Sequence, residues 1–282
     1  MGFFEWAVER ERNKCADILA DQEVYVPKTR IMCEVQKYDN KDRHFITILI
    51  PEECKGHIIN IHGGGLIAGS VSQNRDFALW LADHGFKVYL VEYPLIPESS
   101  FRNQVIAVCS AIEYIQKQLD VDDKVYLTAD SAGCLLALIA NAIFSYNVYP
   151  SEDFGYTPVD YLYFDGVWFN SPMFETVGFN EIGIFMAKHY YGKHWRKKTI
   201  APYLKNPYDT LGKYLPDRNV VISTSKGDKL NKQACKAYFN WRFTSLEQGY
   251  KKEHIHDWNV LYPTMDEETI QLNEACLWEM TK

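Results

Sequence analysis

The stretch Thr128-Ala129-Asp130-Ser131-Ala132-Gly133-Cys134 sets a serine two residues after an alanine and two before a glycine. An apolar run at residues 124–129 precedes it, and an apolar segment with helical spacing follows at 132–147. Ser131 therefore falls at a strand-to-helix junction. A serine on such a turn is held in strained backbone geometry, its hydroxyl exposed at the carboxyl edge of a sheet, where it can attack a carbonyl carbon. The usual pattern, G-x-S-x-G, has a glycine where this chain has Ala129. A-x-S-x-G alone arises by chance in roughly one chain in ten of this length, so by itself it also fits a plain serine at a helix start.

A second motif strengthens the chemical reading. His62-Gly63-Gly64-Gly65 directly follows the short apolar run at 57–62. Four such residues in a row arise by chance in well under about one chain in a hundred. Backbone without side chains can approach a developing oxyanion and aim N–H groups at it. His62 itself is expected to be structural. A serine nucleophile then needs a base and an acid, in the chain order serine, acid, histidine. Asp228 lies just beyond the strand-like run at 219–224, whereas Asp209 and Asp217 precede it and are poorer candidates. Of the eight histidines, His254 and His256 follow Asp228. They stand two apart and would share a face on a strand; His256, nearer the following loop, is favoured as the base.

The elements that must position these groups alternate. A helical stripe occupies residues 2–21. Strand-like runs at 24–37 and 43–50 flank a polar turn and read as an antiparallel pair. Strands at 57–62, 87–93, 124–129, 161–169 and 219–224 then alternate with helices at 73–84, 101–118, 132–147 and 231–247, and a last helix covers 266–280. Short apolar runs between amphipathic helices predict a mostly parallel sheet with helices on both faces. The segment 173–216, rich in aromatics, Gly and Pro, breaks the rhythm and is expected to form a cap above the sheet. Phe174, Phe179, Phe185, Tyr190, Tyr191 and Trp195 would chiefly pack within it.

Composition narrows the function classes. The 282 residues carry a formal charge of -7 and 15% aromatic residues. No nucleic-acid partner is expected, since binders of nucleic acid cluster positive charge. The one basic run, residues 193–198, is short and reads as a solvated loop or helix end. The first twenty residues lack the apolar core of a signal peptide, because Glu5, Glu9, Arg10 and Glu11 interrupt them. Trp6 stands where a myristoylation motif wants Ser or Thr. No apolar run is long enough for a membrane span. Seven scattered cysteines without CxxC pairs predict reduced thiols in a cytoplasmic setting and give no support for structural zinc.

Together these motifs resemble the hormone-sensitive-lipase-like group of α/β-hydrolase esterases. "HGGGLIAGS" at 62–70 matches that group's H-G-G-G-x-x-x-G-S in full. "EYPLIPE" at 92–98 is similar to its D-Y-R-L-A-P-E, and "ADSAGC" to its G-D-S-A-G-G. Asp228-Lys229-Leu230 and His256-Asp257-Trp258 match its D-x-L and H-x-F/W, and 170–174 and 201–207 resemble two further segments. The likeness runs from about residue 45 to 280. It implies a single α/β-hydrolase-fold domain over 1–282, with a cap from about 1–25 and 173–205. It implies hydrolysis of small to medium carboxylic esters through Ser131, His256 and Asp228. It also implies oxyanion donors at Gly64, Gly65 and Ala132, with no cofactor or metal. An amidase, arylformamidase or peptidase would use the same groups, and a non-catalytic ligand-binding relative is the alternative from another class. A homo-oligomer is compatible with the sequence. Three departures stand out: Ala129 and Cys134 replace glycines, Pro94 replaces an arginine, and the acid loop lacks a proline.

Overall fold

A computed structural model describes residues 2–22, 24–145, 148–176 and 187–282. Eight strands form one sheet in the order β1-β2-β4-β3-β5-β6-β7-β8: β1 Ile31–Lys37, β2 Phe45–Pro51, β3 His57–Ile61, β4 Lys87–Val91, β5 Val125–Asp130, β6 Gly166–Asn170, β7 Val220–Ser225 and β8 Thr244–Gly249. The β1–β2 and β2–β4 pairs are antiparallel, and every later pairing is parallel. The central strands β3, β5 and β6 are buried along their whole length, as continuous apolar runs in a covered parallel sheet require.

Alternating strand residues feed two apolar clusters. Ile59, Ile61, Tyr89 and Val91 face the cluster that includes α3 (Phe101–Gln116) and α4 (Gly133–Phe144). Ile58, Val88 and Leu90 face the cluster of α2 (Arg75–Asp83) and the helix Glu267–Thr281. Every residue of α4 is buried, which suits a helix that is apolar on all sides. The N-terminal helix α1 (Phe3–Asp21) reaches across the chain. Arg12 of α1 donates to the Ile67 and Ile96 carbonyls and pairs with Glu98, and the Phe4 ring stacks on His189 at 4.0 Å.

Three expectations are corrected. Residues 161–165 are not strand; β6 starts at Gly166, where a side chain would overlap the Met280 carbonyl of the passing C-terminal helix. The helix predicted over 231–247 ends at Asn240, and Thr244–Gly249 forms the edge strand β8. Residues 24–30 precede β1 rather than belonging to it. Within the expected cap, Gly178, Phe179, Gly183 and Phe185 lie outside the described residues. The neighbouring aromatics Phe174, Tyr191 and Trp195 are buried. Phe174 meets Phe169 and Trp241 edge-on, and Tyr191 meets Phe101 the same way.

Candidate active site

β5 ends at Asp130 and α4 begins at Gly133, so two residues make the turn. Ser131 has φ 46, in the left-handed region that L-residues avoid. Three main-chain hydrogen bonds hold it there. Its N–H donates to the Asn170 carbonyl at 3.0 Å, and its own carbonyl accepts from Met173 at 2.9 Å and from Cys134 at 3.2 Å. A Cβ at Gly133 would overlap the carbonyl oxygens of Ile61 and His62, so helix and strand can pass only because this residue is glycine. Ala129 stands two residues before the serine. Its methyl is buried in the apolar cluster, and Ile61 and Phe169 are its neighbours in register.

The structure brings Ser131, His256 and Asp228 into one line. Ser131 Oγ lies 2.7 Å from His256 Nε2, and His256 Nδ1 lies 3.1 and 3.2 Å from the two Asp228 carboxylate oxygens. Asp228 stands three residues past β7, and its carboxylate also accepts the Leu230 N–H at 2.7 Å. Burial alone would raise the Asp228 pKa, but His256 and the Leu230 N–H outweigh it and hold the carboxyl below the ordinary range. Burial likewise opposes charge on His256, yet Asp257, Asp228 and Asp130 prevail, and its pKa is raised to about 9.

His254 lies elsewhere. It is fully buried, its ring stacks on Trp258 at 5.0 Å, and Nε2 lies 3.1 Å from Asp266. Residues 254–256 form a loop rather than a strand, so the two histidines do not share a face. Asn170 joins the serine side of the site to the histidine side. Its carbonyl takes the Ser131 N–H, while its Oδ1 accepts from Ser223 Oγ at 2.8 Å and from Asn259 Nδ2 at 2.7 Å.

The glycine loop lies against the serine. A side chain at Gly63 would crowd Ser131 Cβ and the Asp130 carboxylate, and the Gly63 N–H donates to that carboxylate at 2.8 Å. Gly64 has φ +105, and a Cβ there would overlap the Ala68 carbonyl. His62 is buried and stacks on Tyr93 at 4.2 Å, and the Tyr93 hydroxyl donates to the His62 carbonyl at 2.7 Å. An arginine from the β1–β2 turn braces the glycine loop and the end of β4. Arg43 pairs with buried Glu92 and donates to the Tyr93 carbonyl at 3.2 Å and the Gly69 carbonyl at 2.7 Å. Burial opposes the Glu92 charge, but His62 and Arg43 keep its carboxyl below the usual range.

One further carboxylate reaches the site unannounced by any motif. Asp257 is 9% exposed, has φ 58, and sets Oδ2 3.1 Å from His256 Nε2. Its position directly after the histidine is visible in sequence, but the left-handed turn that folds its side chain back is not. Among the described residues no group of three or more His, Cys, Asp or Glu side chains forms a metal site, and no helix is long and apolar enough to cross a membrane. The cysteines at 15, 33, 54, 109, 134, 235 and 276 are all free.

A family model described as the alpha/beta hydrolase fold matches residues 58–154. No curated protein matches the sequence. Among solved structures, esterase B from Lactobacillus rhamnosis is similar with a TM-score of 0.80 and 22% identity, over 98% of this chain and 91% of that one. An esterase from Pyrobaculum calidifontis is similar with a TM-score of 0.68 and 17% identity, over 98% and 92%. A bacterial heroin esterase has a TM-score of 0.68 and 17% identity, over 98% and 90%. Sheet order, the left-handed turn after β5 and these likenesses agree: the chain has the alpha/beta hydrolase fold.

Proposed function

We propose that this chain is a serine hydrolase of the carboxylesterase type, acting on small to medium ester substrates. The observation that carries the reading is the hydrogen-bonded line Ser131–His256–Asp228, set on a strained turn beside a glycine loop. The solved structures of similar fold add support, since they bear esterase names and one was determined with a tributyrin phosphonate inhibitor.

In this mechanism His256 Nε2 accepts the Ser131 proton as Oγ attacks the ester carbonyl carbon. Asp228 accepts the Nδ1–H, fixes the tautomer and stabilises the imidazolium. The N–H groups of Gly64, Gly65 and Ala132 receive the tetrahedral oxyanion, and loss of one such donor typically costs about 3 kcal/mol in the barrier. His256 then protonates the leaving alcohol, and water, deprotonated by the same nitrogen, releases the acid. These groups complete the reaction with no metal or organic cofactor. The cap expected from about residues 1–25 and 173–205 would select the substrate.

The test is hydrolysis of p-nitrophenyl esters of increasing chain length by the parent and by Ser131→Ala. The parent should turn over the shorter esters, and the variant should lose activity by about three orders of magnitude or more. Equal rates from both proteins would overturn the assignment of the nucleophile. A parent inert toward esters but active on amides or formamides would move the reading to that class. A parent inert toward all of them would favour the ligand-binding alternative.

A further inference from the structure

We infer that Asp257 is a positioning residue that decides when His256 can act as a base, through direct contact with the nitrogen that faces the serine. The inference rests on the hydrolase reading for its consequence in turnover, but not for the contact itself. His256 Nε2 has one lone pair. Ser131 Oγ approaches it at 2.7 Å, and Asp257 Oδ2 approaches it at 3.1 Å. Both oxygens cannot be satisfied by the same nitrogen in one protonation state.

Consider the choices in turn. A neutral imidazole with its proton on Nδ1 serves Asp228 and leaves Nε2 free to accept from Ser131. An ionised Asp257 then faces that lone pair with one of its own, which is repulsive. Placing one proton between Asp257 and Nε2 removes the repulsion. The proton resides on the imidazole as an ion pair, or on the carboxyl, which then donates to Nε2. In either case the lone pair is occupied and Ser131 loses its acceptor. Loss of that single proton frees the base. Once Ser131 hands over its proton during attack, the Asp257 carboxylate stabilises the imidazolium that forms. The same contact thus opposes the resting base and favours the charged intermediate.

The surroundings hold Asp257 in this role. Among the described residues its Oδ1 is buried with no hydrogen-bond partner, and its main-chain N–H donates to Ser171 Oγ at 3.2 Å. The ionisable groups that act on the pair come from three elements, and a fourth acts through Asp130. Asp228 follows β7 and Asp130 ends β5. Lys14 of α1 attracts the Asp257 carboxylate, and His62 before the glycine loop attracts Asp130. Burial first, and Asp130 and Asp228 after it, push the Asp257 carboxyl well up, which favours a retained proton.

The experiment compares the parent with Asp257→Asn and Asp257→Gly. Both residues tolerate the left-handed backbone at this position, so the fold is retained. The first readout is the titration of His256 Cε1 by NMR in 13C-histidine-labelled protein, assigned by its loss in His256→Gln. The second is the pH profile of kcat/KM. The inference expects a parent midpoint above neutrality and a downward shift of about one pH unit or more in both variants, toward the ordinary histidine value near 6.5. Activity at pH 7 should rise relative to each variant's own maximum. A His256 midpoint that stays within about 0.2 units of the parent in both variants overturns the inference, whatever happens to the rate. Because the titration needs no turnover, a protein that hydrolyses nothing defeats the hydrolase reading while leaving this one decided.

Discussion

Ala129 carries the methyl that distinguishes this turn from the usual glycine form, and that methyl lies inside the apolar cluster. It is fully buried between strand neighbours, while the close approach of strand to helix falls on Gly133. Removing the methyl should therefore weaken packing rather than quicken chemistry. Ala129→Gly should destabilise the fold by about 1–2 kcal/mol, from a lost buried methyl and a more flexible strand backbone. It should leave kcat within about twofold. Urea unfolding read beside steady-state ester kinetics checks both. At this scale much was legible in sequence. Ser131, Asp228 and His256 could be named from motif and chain order, and the fold brings the three side chains together. Asp257 was not, because its role depends on one left-handed residue. Arg43 was not, because a lone arginine in a turn carries no sign of the buried glutamate it will meet 49 positions later.

Among elements, the β1–β2 turn, the end of β4 and the glycine loop form one unit. Arg43 ties Glu92, the Tyr93 carbonyl and the Gly69 carbonyl, and Glu92 also accepts the Val71 N–H at 2.9 Å. Arg43→Met would strand a buried carboxylate. The cost should be about 2–4 kcal/mol, somewhat below that of a fully buried pair because the arginine is 32% exposed. Acylation should slow as the loop loosens, whereas Arg43→Lys should recover part of the stability. Thermal unfolding and stopped-flow acylation by a p-nitrophenyl ester measure the two effects. The elements themselves were readable where burial was complete, as in β3, β5 and α4. β8 was missed because an edge strand pairs on one side only, and "TSLEQG" is half-buried without apolar alternation. The aromatic run at 161–163 misled in the opposite direction: Tyr161 and Tyr163 are exposed ahead of the strand.

Across the whole molecule, the site is assembled from loops at the carboxyl ends of separate strands, and the loop bearing His256 is anchored from below. His254 packs on Trp258 and meets Asp266, the N-cap of the helix Glu267–Thr281, which also pairs with Lys251. The two neighbouring histidines should thus separate cleanly on substitution. His256→Ala should abolish turnover while leaving the melting temperature nearly unchanged. His254→Ala should lower the melting temperature by several degrees, through a cavity and the lost contact to Asp266, and keep measurable activity at low temperature. Differential scanning calorimetry and ester kinetics at 15 °C distinguish them. Acid should loosen the same anchor. Burial opposes the Asp266 charge, but Lys251, Thr269 and His254 hold its carboxyl well below the ordinary range. Its stabilisation is therefore present at neutral pH and lost only as pH falls through that lowered value.

Asn170 gives this arrangement a chemical lifetime. Its carbonyl and its amide oxygen bind both halves of the site, so conversion of that amide to an acid would disturb serine and histidine sides together. An Asn-Ser pair in flexible chain is prone to such ageing, because the following main-chain nitrogen can attack the amide carbon. Here that nitrogen, on Ser171, donates to the Ser223 carbonyl at 2.8 Å, and Asn170 is sealed from water. The folded sheet thereby preserves its own junction, and each excursion into the unfolded state exposes it to a loss that refolding does not repair.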